Sequence, residues 1–316
     1  MPLPPSLDGR LRLPVVAAPM FLCSGPELVV ACCRAGILGT FPALNQRSTE
    51  GFEDWLNTIE GQIGPADAPF AVNLIVHRSN ERLDADLQVV VRHQVPVVIT
   101  SLGAVPDVVE AVQSYGGLVF HDVTTRRHAE KAVEAGVDGL ILVCAGAGGH
   151  AGTLSPFALL PEVRSFFDGT ILLAGGLTRG EHVVAALAMG ADLAYMGTRF
   201  LATEECLAAP AYKAMVTEAR AADILYTPAL SGVPASYLRQ SLLAAGVDLA
   251  TLAAKDKDAL NLDPATRVWR DIWSAGQGVG AISDVPTTAA LVGRLEQEYS
   301  AALDRMVLLA QGLEEA

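Results

Sequence analysis

Positive charge is scarce in this sequence of 316 residues. Lys and Arg together number 22 against 35 Asp and Glu, which gives a formal net charge of −13 at pH 7. Nucleic acids bind basic surfaces because their phosphates repel acidic ones, so the composition argues against a nucleic-acid partner. The sequence also lacks an apolar run of ~18 residues, the length that a membrane-spanning helix needs. Its first residues show neither the basic start nor the apolar stretch of a secretion signal, so we expect a cytoplasmic protein with no membrane partner.

Cysteine is also uncommon. The five cysteines are Cys23, Cys32, Cys33, Cys144 and Cys206. Their number is odd and no pair of Cys-x-x-Cys motifs is present, so neither a disulfide framework nor a structural zinc site is expected. We predict no metal and interpret these residues as reduced, small apolar side chains, of which Cys144 lies beside a glycine-rich loop.

Hydrophobic residues make up 51% of the chain, and they form short β-branched runs that alternate with helical stretches. The runs predict eight strands, at residues 15–20, 37–41, 70–75, 96–102, 118–123, 139–144, 170–175 and 193–200. They are apolar nearly throughout, as expected of parallel strands covered on both faces. Eight βα units in a chain of this length favour an α/β fold of the (β/α)8 TIM-barrel type. A doubly wound dinucleotide-binding sheet, the alternative, would have Gly-x-Gly-x-x-Gly after the first strand, where this chain has PMFLCSGPE.

The alternation of strands and helices stops after residue 205. A final helical run at residues 287–312 is long enough to be the last helix of the barrel. We predict that residues 1–214 and 276–316 form the barrel and that residues 215–275 form an inserted helical lid subdomain. Active sites of such barrels lie at the C-terminal ends of the strands, so an insertion in the last βα connection would cover the site. A plain helical extension at the C-terminus is the alternative.

Two glycine clusters follow the seventh and eighth predicted strands. They are AGGLTRG at residues 174–180 and MGTRFL at residues 196–201. Loops at these positions commonly bind phosphate in barrel enzymes, and glycine lets backbone amides approach an anion. The predicted phosphate ligands are Ala174, Gly175, Gly176, Gly197 and Thr198. Tight turns that bind nothing are the alternative interpretation.

A third glycine cluster, AGAGGHAG at residues 145–152, follows the sixth predicted strand. It does not end in Gly-Lys-Ser/Thr and so is not a P-loop. Its glycines, Gly148 and Gly149 among them, allow a planar ligand to lie close to the backbone. His150 is the titratable group of this loop, and an imidazole with an unperturbed pKa near ~6.5 exchanges protons near neutral pH. We predict that His150 is catalytic. A lone histidine without a chemical role is the alternative.

Polar residues also follow the third, fourth and fifth predicted strands. They are Asn73, Thr100, Ser101, His121 and Asp122. Side chains of these types can hydrogen-bond to a bound ring, and Asn73, Thr100, His121 and Asp122 are predicted cofactor ligands. Asp122 is equally suited to cap the helix that begins near TTRRHAEK. The histidines at positions 77, 93, 128 and 182 are interpreted as surface residues.

The ordered set of motifs VVAAPM, FAVNL, GAGGHAG, LLAGGLTRG, ALAMGADLAYMGTRFLAT and IWSAGQGVG resembles the nitronate monooxygenase family, also called 2-nitropropane dioxygenases. The resemblance covers nearly the whole chain. It implies a TIM barrel with a lid domain, noncovalently bound FMN, and a catalytic base for nitroalkanes at His150. It further implies flavin contacts at Ala18, Pro19 and Met20, at Asn73, and at the glycines after the last two strands. The implied reaction removes an acidic C–H proton beside the flavin and passes the electrons to O2.

Two positions depart from the family pattern. Many members have Gln after the Met of the first strand and an acidic residue four positions before the histidine, where this chain has Phe21 and Gly146. These departures concern the substrate and leave the predicted flavin site unchanged. The resemblance also allows an NAD(P)H-dependent reductase or hydroxylase whose substrate is a quinone or an enoyl or steroid-derived CoA thioester. A catalytically inactive flavin- or phosphosugar-binding barrel is a third alternative. The expected partner is a small molecule in each case, and a homodimer is compatible with the sequence.

Overall fold

Parallel strands form the centre of the molecule. The computed structural model describes residues 3–103, 106–230, 232–249, 252 and 269–314. Its strands close into a barrel in the order β1-β2-β3-β4-β5-β6-β8-β9, which confirms the predicted TIM-barrel fold. These strands are β1 Val15–Ala17, β2 Leu38–Pro42, β3 Phe70–Ile75, β4 Val97–Ser101, β5 Leu118–Val123, β6 Gly139–Val143, β8 Thr170–Ala174 and β9 Leu193–Met196. The short β7, Gly149–His150, lies outside the barrel.

Side chains of the barrel strands alternate between the barrel interior and the surrounding helices. Val16, Ile99, Phe120 and Leu172 lie together in the interior. Residues at the alternate positions, such as Val98, pack against the helices. Both faces of each strand are therefore apolar, which explains why the strands show no polar alternation in the sequence. The same alternation continues to the strand ends, where it decides which polar side chains face the mouth of the barrel.

The helices surround this barrel. They are α1 Pro26–Arg34, α2 Thr49–Glu60, α3 Leu83–Arg92, α4 Pro106–Gln113, α5 Arg126–Glu134, α6 Pro156–Arg164, α7 Gly180–Ala188, α8 Thr198–Leu201, α9 Pro210–Glu218, α10 Arg239–Ala244 and α11 Thr288–Glu314. Local signals start two of them, because the hydroxyls of Ser48 and Thr125 accept hydrogen bonds from backbone N–H groups in the first turns of α2 and α5. The last helix, α11, packs against α1 and α7, the place of the final barrel helix. None of the described helices has the length and hydropathy needed to cross a membrane.

The inserted segment differs from its helical prediction. Residue 215 lies within α9, and the segment then forms strands β10 Ile224–Thr227 and β11 Ala235–Leu238 before α10. These strands pair antiparallel with each other, and β11 also pairs with β7. The prediction of helix is therefore wrong for these residues. Both strands are too short to show a clear period in the sequence, and β7, the second partner of β11, is distant along the chain. Ser231, residues 250–251 and residues 253–268 of the predicted lid lie outside the described residues.

The contact between α7 and α11 depends on a glycine. A Cβ atom added to Gly180 would lie 2.2 Å from the carbonyl oxygen of Leu295 and 2.3 Å from the amide nitrogen of Tyr299. Gly293 lies within α11, and a Cβ atom there would meet nothing within 4 Å. The backbones of α7 and α11 thus approach each other at Gly180 too closely for any side chain.

This contact predicts opposite effects of two matched substitutions. Gly180→Ala should destabilise the fold by about 1–3 kcal/mol, because the two helices must move apart. Gly293→Ala should be neutral or stabilising by up to about 1 kcal/mol, because alanine is a better helix former than glycine and its Cβ meets no neighbouring atom here. Urea denaturation of both variants measures the two effects. Equal stability of Gly180→Ala and the parent chain would contradict the described contact.

Candidate active site

A large cavity lies over the C-terminal ends of the barrel strands. Its volume is about 1200 Å³. All of the predicted site residues except Thr100 line it. They are Ala18, Pro19, Met20, Asn73, His121, Asp122, Gly148, Gly149, His150, Ala174, Gly175, Gly176, Gly197 and Thr198. The sequence prediction therefore converges on one cavity, in the position where barrel enzymes bind substrates.

A row of polar side chains forms the floor of the cavity. Asn73 Nδ2 donates a hydrogen bond of 2.8 Å to Ser101 Oγ, which donates one of 2.5 Å to Asp122 Oδ2. Asp122 Oδ1 is buried and has no hydrogen-bond partner within the described part of the chain. Burial raises the pKa of Asp122 to about 6, against the opposing effect of the Ser101 hydrogen bond. The floor therefore offers a carboxyl group that is easily protonated and carries an unsatisfied oxygen.

Tyr195 belongs to the same floor, although sequence reasoning did not select it. It lies in the barrel interior with Ala18 and Ala174 and lines the cavity. Burial, and secondly the charge of Asp122, raise the pKa of its phenol well above the ordinary value. A tyrosine within an apolar strand gives no local signal, and only the closed barrel brings it opposite Asp122.

The neighbouring residues Thr100 and His121 face the other way. Val119 and Val123 flank His121 at alternate positions of β5 and pack against the helices. His121 therefore points outward from the barrel axis, and its Nδ1 lies 2.7 Å from Thr100 Oγ1. His121 lines the cavity together with His128, which is exposed, as expected from the sequence. Burial, and secondly His128, lower the pKa of His121 to about 4.

Asp122 does not cap helix α5, which was the alternative role that the sequence allowed. Thr125 is the N-cap of α5, since its side chain accepts a hydrogen bond from the backbone N–H of His128. Asp122 lies two positions after Phe120 on β5, so its side chain faces the barrel interior as that of Phe120 does. Its side chain is thus available to a ligand above the floor.

His150 is held by the inserted segment. It lies in β7 and pairs with Ala235 of β11, while the N–H of Gly149 donates a hydrogen bond of 2.6 Å to Ser274 Oγ. The rings of His150 and Trp269 meet edge to face, with 5.1 Å between centroids. His150 is exposed to the open cavity, but the surrounding protein lowers its pKa below the ordinary value by desolvation. The imidazole is therefore neutral near pH 7 and able to accept a proton.

The glycine loops form a separate cradle in the cavity wall. Gly175 and Gly176 follow β8 with φ values of 137° and 72°, a region that other residues rarely adopt. Thr178 Oγ1, close by, is buried without a hydrogen-bond partner within the described residues. Thr198 Oγ1 accepts a hydrogen bond of 2.9 Å from the N–H of Gly276. Backbone amides and an unused hydroxyl are suitable ligands for a phosphate group.

The returning segment also contributes to this cradle. A Cβ atom on Gly276 would lie 2.6 Å from the carbonyl oxygen of Gly146, so the loop after β6 touches the segment directly. Ser274, Gly276 and Gly278 line the cavity. These residues belong to the motif IWSAGQGVG, for which the sequence analysis predicts no site residue. Its glycines are typical of a ligand-binding loop, but the motif is far from the other loops in sequence, and only the fold shows that it lies beside them.

Comparison with known proteins identifies this arrangement. The model of the family described as nitronate monooxygenase matches residues 9–298. The chain belongs to the nitronate monooxygenase family. The family is one of flavin-dependent oxidoreductases. The chain spans 44% and 64% of the length of two of the curated relatives that it matches. Within the described residues no group of three or more His, Cys, Asp or Glu side chains is arranged to hold a metal.

Three relatives show the range of this family. A monooxygenase of Mycobacterium tuberculosis is 34% identical over 52% of this chain and 44% of its own length. The (3aS,4S,5R,7aS)-5-hydroxy-7a-methyl-1-oxo-octahydro-1H-indene-4-carboxyl-CoA dehydrogenase of Rhodococcus jostii is 30% identical over 73% of this chain. That match spans 64% of the dehydrogenase. The structure of nitroalkane oxidase from Streptomyces ansochromogenes has a TM-score of 0.78 and 27% identity, covering 95% of this chain and 99% of that one.

The residues of the cavity fit a flavin. A planar ring requires hydrogen-bonding groups at its edge, which Asn73, Ser101 and Asp122 provide on the floor. A phosphate requires hydrogen-bond donors, and the glycine cradle with the unpartnered Thr178 hydroxyl provides them. The two features occur in one cavity, so a single ligand can use both.

The buried His121 predicts a pH-dependent stability. Its folded pKa of about 4 lies below the unfolded value near ~6.5, so the unfolded chain binds more protons between these values. The stability that neutral His121 maintains is therefore lost as the pH falls from 6.5 towards 4. His121→Asn should reduce the stability lost between pH 6.5 and 4.5 by on the order of 2 kcal/mol. Urea denaturation across this range, with His77→Asn in an exposed loop as the control, measures the difference. Equal losses in the two variants would contradict the assignment.

Proposed function

We propose that this chain is an FMN-dependent oxidase that converts a nitroalkane or nitronate, or a substrate with a similarly acidic C–H bond, with O2 as electron acceptor. The observation that carries the proposal is the position of His150. Its ring is exposed to the cavity, has a lowered pKa, and is held by backbone pairing between β7 and β11. Such a group is a suitable base for a substrate placed over the polar floor.

The choice of FMN rests on the cradle. Gly175, Gly176, Gly197 and Thr198 follow adjacent strands and line the same part of the cavity, together with the buried Thr178. This is one compact set of anion ligands, as the single phosphate of FMN requires. When bound, FMN would accept the electrons of the substrate and pass them to O2.

The role of the protein residues follows from their contacts. His150 would take the proton from the substrate carbon, and a lowered pKa keeps its ring neutral and ready to accept it. Trp269 would hold the ring in place through its edge-to-face contact. Asn73, Ser101 and Asp122 would orient the bound ring by hydrogen bonds. The segment that includes Ser274 would limit the access of water to this part of the cavity.

His150→Ala tests the proposed base. The variant should retain FMN and fold but lose about 10²–10⁴-fold in flavin reduction by a neutral nitroalkane, as expected for loss of a positioned base. Flavin reduction by the pre-ionised nitronate should fall much less, because the proton has already left. Anaerobic stopped-flow measurement of flavin reduction with both substrates gives the comparison, and His77→Ala, outside the cavity, is the control.

The outcomes separate the roles of His150. Equal losses with neutral and ionised substrates would show that His150 binds or orients the substrate and does not deprotonate it. Unchanged rates with both substrates would place the base elsewhere. Loss of FMN from the purified variant would assign His150 to cofactor binding.

A second candidate is an NAD(P)H-dependent reductase or hydroxylase that acts on a CoA thioester or a quinone. The cavity volume of about 1200 Å³ exceeds the range of about 300–1,000 Å³ that single ligands occupy, which leaves room for a bulky second molecule. The similarity to a dehydrogenase of a bicyclic CoA thioester supports the same candidate.

Anaerobic mixing with NADH distinguishes the two candidates. The oxidase should keep its flavin colour with NADH and lose it with a nitroalkane, whereas the reductase should lose it rapidly with NADH alone. Absence of flavin reduction by either donor would support a catalytically inactive flavin- or phosphosugar-binding barrel. The absorbance of the bound flavin measures each outcome.

A further inference from the structure

Apolar side chains line one side of the cavity mouth, beside the glycines, hydroxyls and His150 of the loops after β6, β8 and β9. The ends of β1, β2, β3 and β4, and the loops that follow them, contribute Phe21, Leu44, Ile75 and Leu102 to the cavity lining. These four strands are consecutive neighbours in the barrel, so the four residues follow one another around the mouth. We call this set the apolar arc.

Two residues of the apolar arc are far more exposed than apolar side chains usually are. Phe21 is 47% exposed and Leu102 is 53% exposed. Across the mouth, Leu154, Tyr226 and Val233 also line the cavity and are exposed. Exposed apolar groups gathered around one opening, and not scattered singly, indicate a surface that a ligand covers.

The backbone of the arc is also strained. Leu102 has a φ of 65°, and Leu22, next to Phe21, has a φ of 60°. Leucine rarely adopts this left-handed region, and each such residue costs about 1–3 kcal/mol. A side-chain acceptor holds one turn in place, since Asn45 Oδ1 receives a hydrogen bond of 2.8 Å from the N–H of Leu22. Strain at Leu102 opposes folding and its exposed side chain gains little from burial, so neither feature is explained by stability.

The two most exposed residues of the arc lie beyond the strand ends that carry the floor. The floor consists of inward-facing residues at the strand ends, such as Asn73 and Asp122, whereas Phe21 and Leu102 come from the loops beyond β1 and β4. A ring on the floor would leave these rim side chains exposed. The part of the cavity beside them is therefore available to a second molecule.

We propose that the substrate carries a large apolar body, an alkyl chain or a fused ring system, that packs on the apolar arc between Phe21 and Leu102. Its reacting carbon would lie at His150, and only this placement rests on the proposed function. Burial of the exposed side chains by substrate would compensate for their cost in the free protein. A small nitronate would leave the arc uncovered.

A chain-length series tests the proposal without requiring turnover. Butanoate, hexanoate and octanoate cannot be oxidised by loss of an acidic nitro C–H proton, and their binding to the FMN-loaded protein can be measured by calorimetry. Affinity should rise about two- to fourfold per added methylene, with an increasingly negative heat-capacity change. Equal affinity for all three acids would overturn the proposal.

Variants of the arc assign the effect to these residues. Leu102→Asn removes the apolar group, and asparagine tolerates the left-handed backbone. It should flatten the chain-length dependence and leave the affinity for FMN unchanged. Leu309→Asn, at an equally exposed leucine of α11 outside the cavity, should keep the full dependence. Phe21→Ser provides a second test if Leu102→Asn does not fold. An unchanged slope in the folded arc variant would overturn the assignment.

The two proposals fail in different ways. A chain-length dependence in a protein that does not oxidise nitroalkanes would support the apolar arc and contradict the nitroalkane oxidase. Rapid oxidation of nitroethane, with no effect of chain length on the binding of carboxylates or the oxidation of nitroalkanes, would support the nitroalkane oxidase and contradict the apolar arc.

Discussion

The pairing of two short strands, β7 and β11, holds the site together. Ala235 and Ser236 of β11 pair with His150 and Gly149, so the loop after β6 and the inserted segment are joined by backbone hydrogen bonds. Ser274 reinforces the junction, since its hydroxyl accepts from Gly149 and donates to the carbonyl of Ser236. The orientation of His150, the closure of the cavity on that side and the position of the returning segment all depend on this junction. Hydrogen bonds such as those from Ala145 N–H to Leu154 and from Gly152 N–H to Val143 hold the base of the glycine-rich loop, and the junction fixes its tip at His150.

Much of the fold could be predicted because its determinants are local. Each βα unit carries its own apolar strand and its own start and stop signals, so the count of eight strands needed no tertiary information. The pairing of β7 with β11 could not be predicted in this way, because a strand of two residues has no periodicity and its partner is about 85 positions away. The direction in which each strand-end side chain points could not be predicted either. Thr100, His121 and Asp122 all lie at strand ends, but only Asp122 faces the barrel interior. Which residues face the interior is known only once the barrel is closed.

The charge distribution in the cavity follows a consistent pattern. Lys131 is the one Lys or Arg among the described residues that line it. The cradle presents backbone amides and hydroxyl groups, whose dipoles act at short range and in fixed directions. In a chain of net charge −13, an anionic ligand of the proposed kind would therefore be selected by fit to the loops and not by attraction from a distance. On the floor, Asp122 has no cationic partner in the described structure, and the Ser101 hydrogen bond offsets only part of the effect of burial on its pKa.

The junction between β7 and β11 has a further consequence, which concerns sequence change over evolution. Its contacts along the ladder are made by main-chain atoms, which restrict the choice of residue less than side-chain contacts do. Tyr226 and Tyr237 are exceptions, since Tyr226 donates a hydrogen bond to the carbonyl of Ala151 and Tyr237 packs against Trp269. Substitutions in the inserted segment can then reshape the substrate side of the cavity while the cofactor side, built on the barrel, is retained. A division of this kind allows one scaffold to diversify its substrates without rebuilding its redox centre.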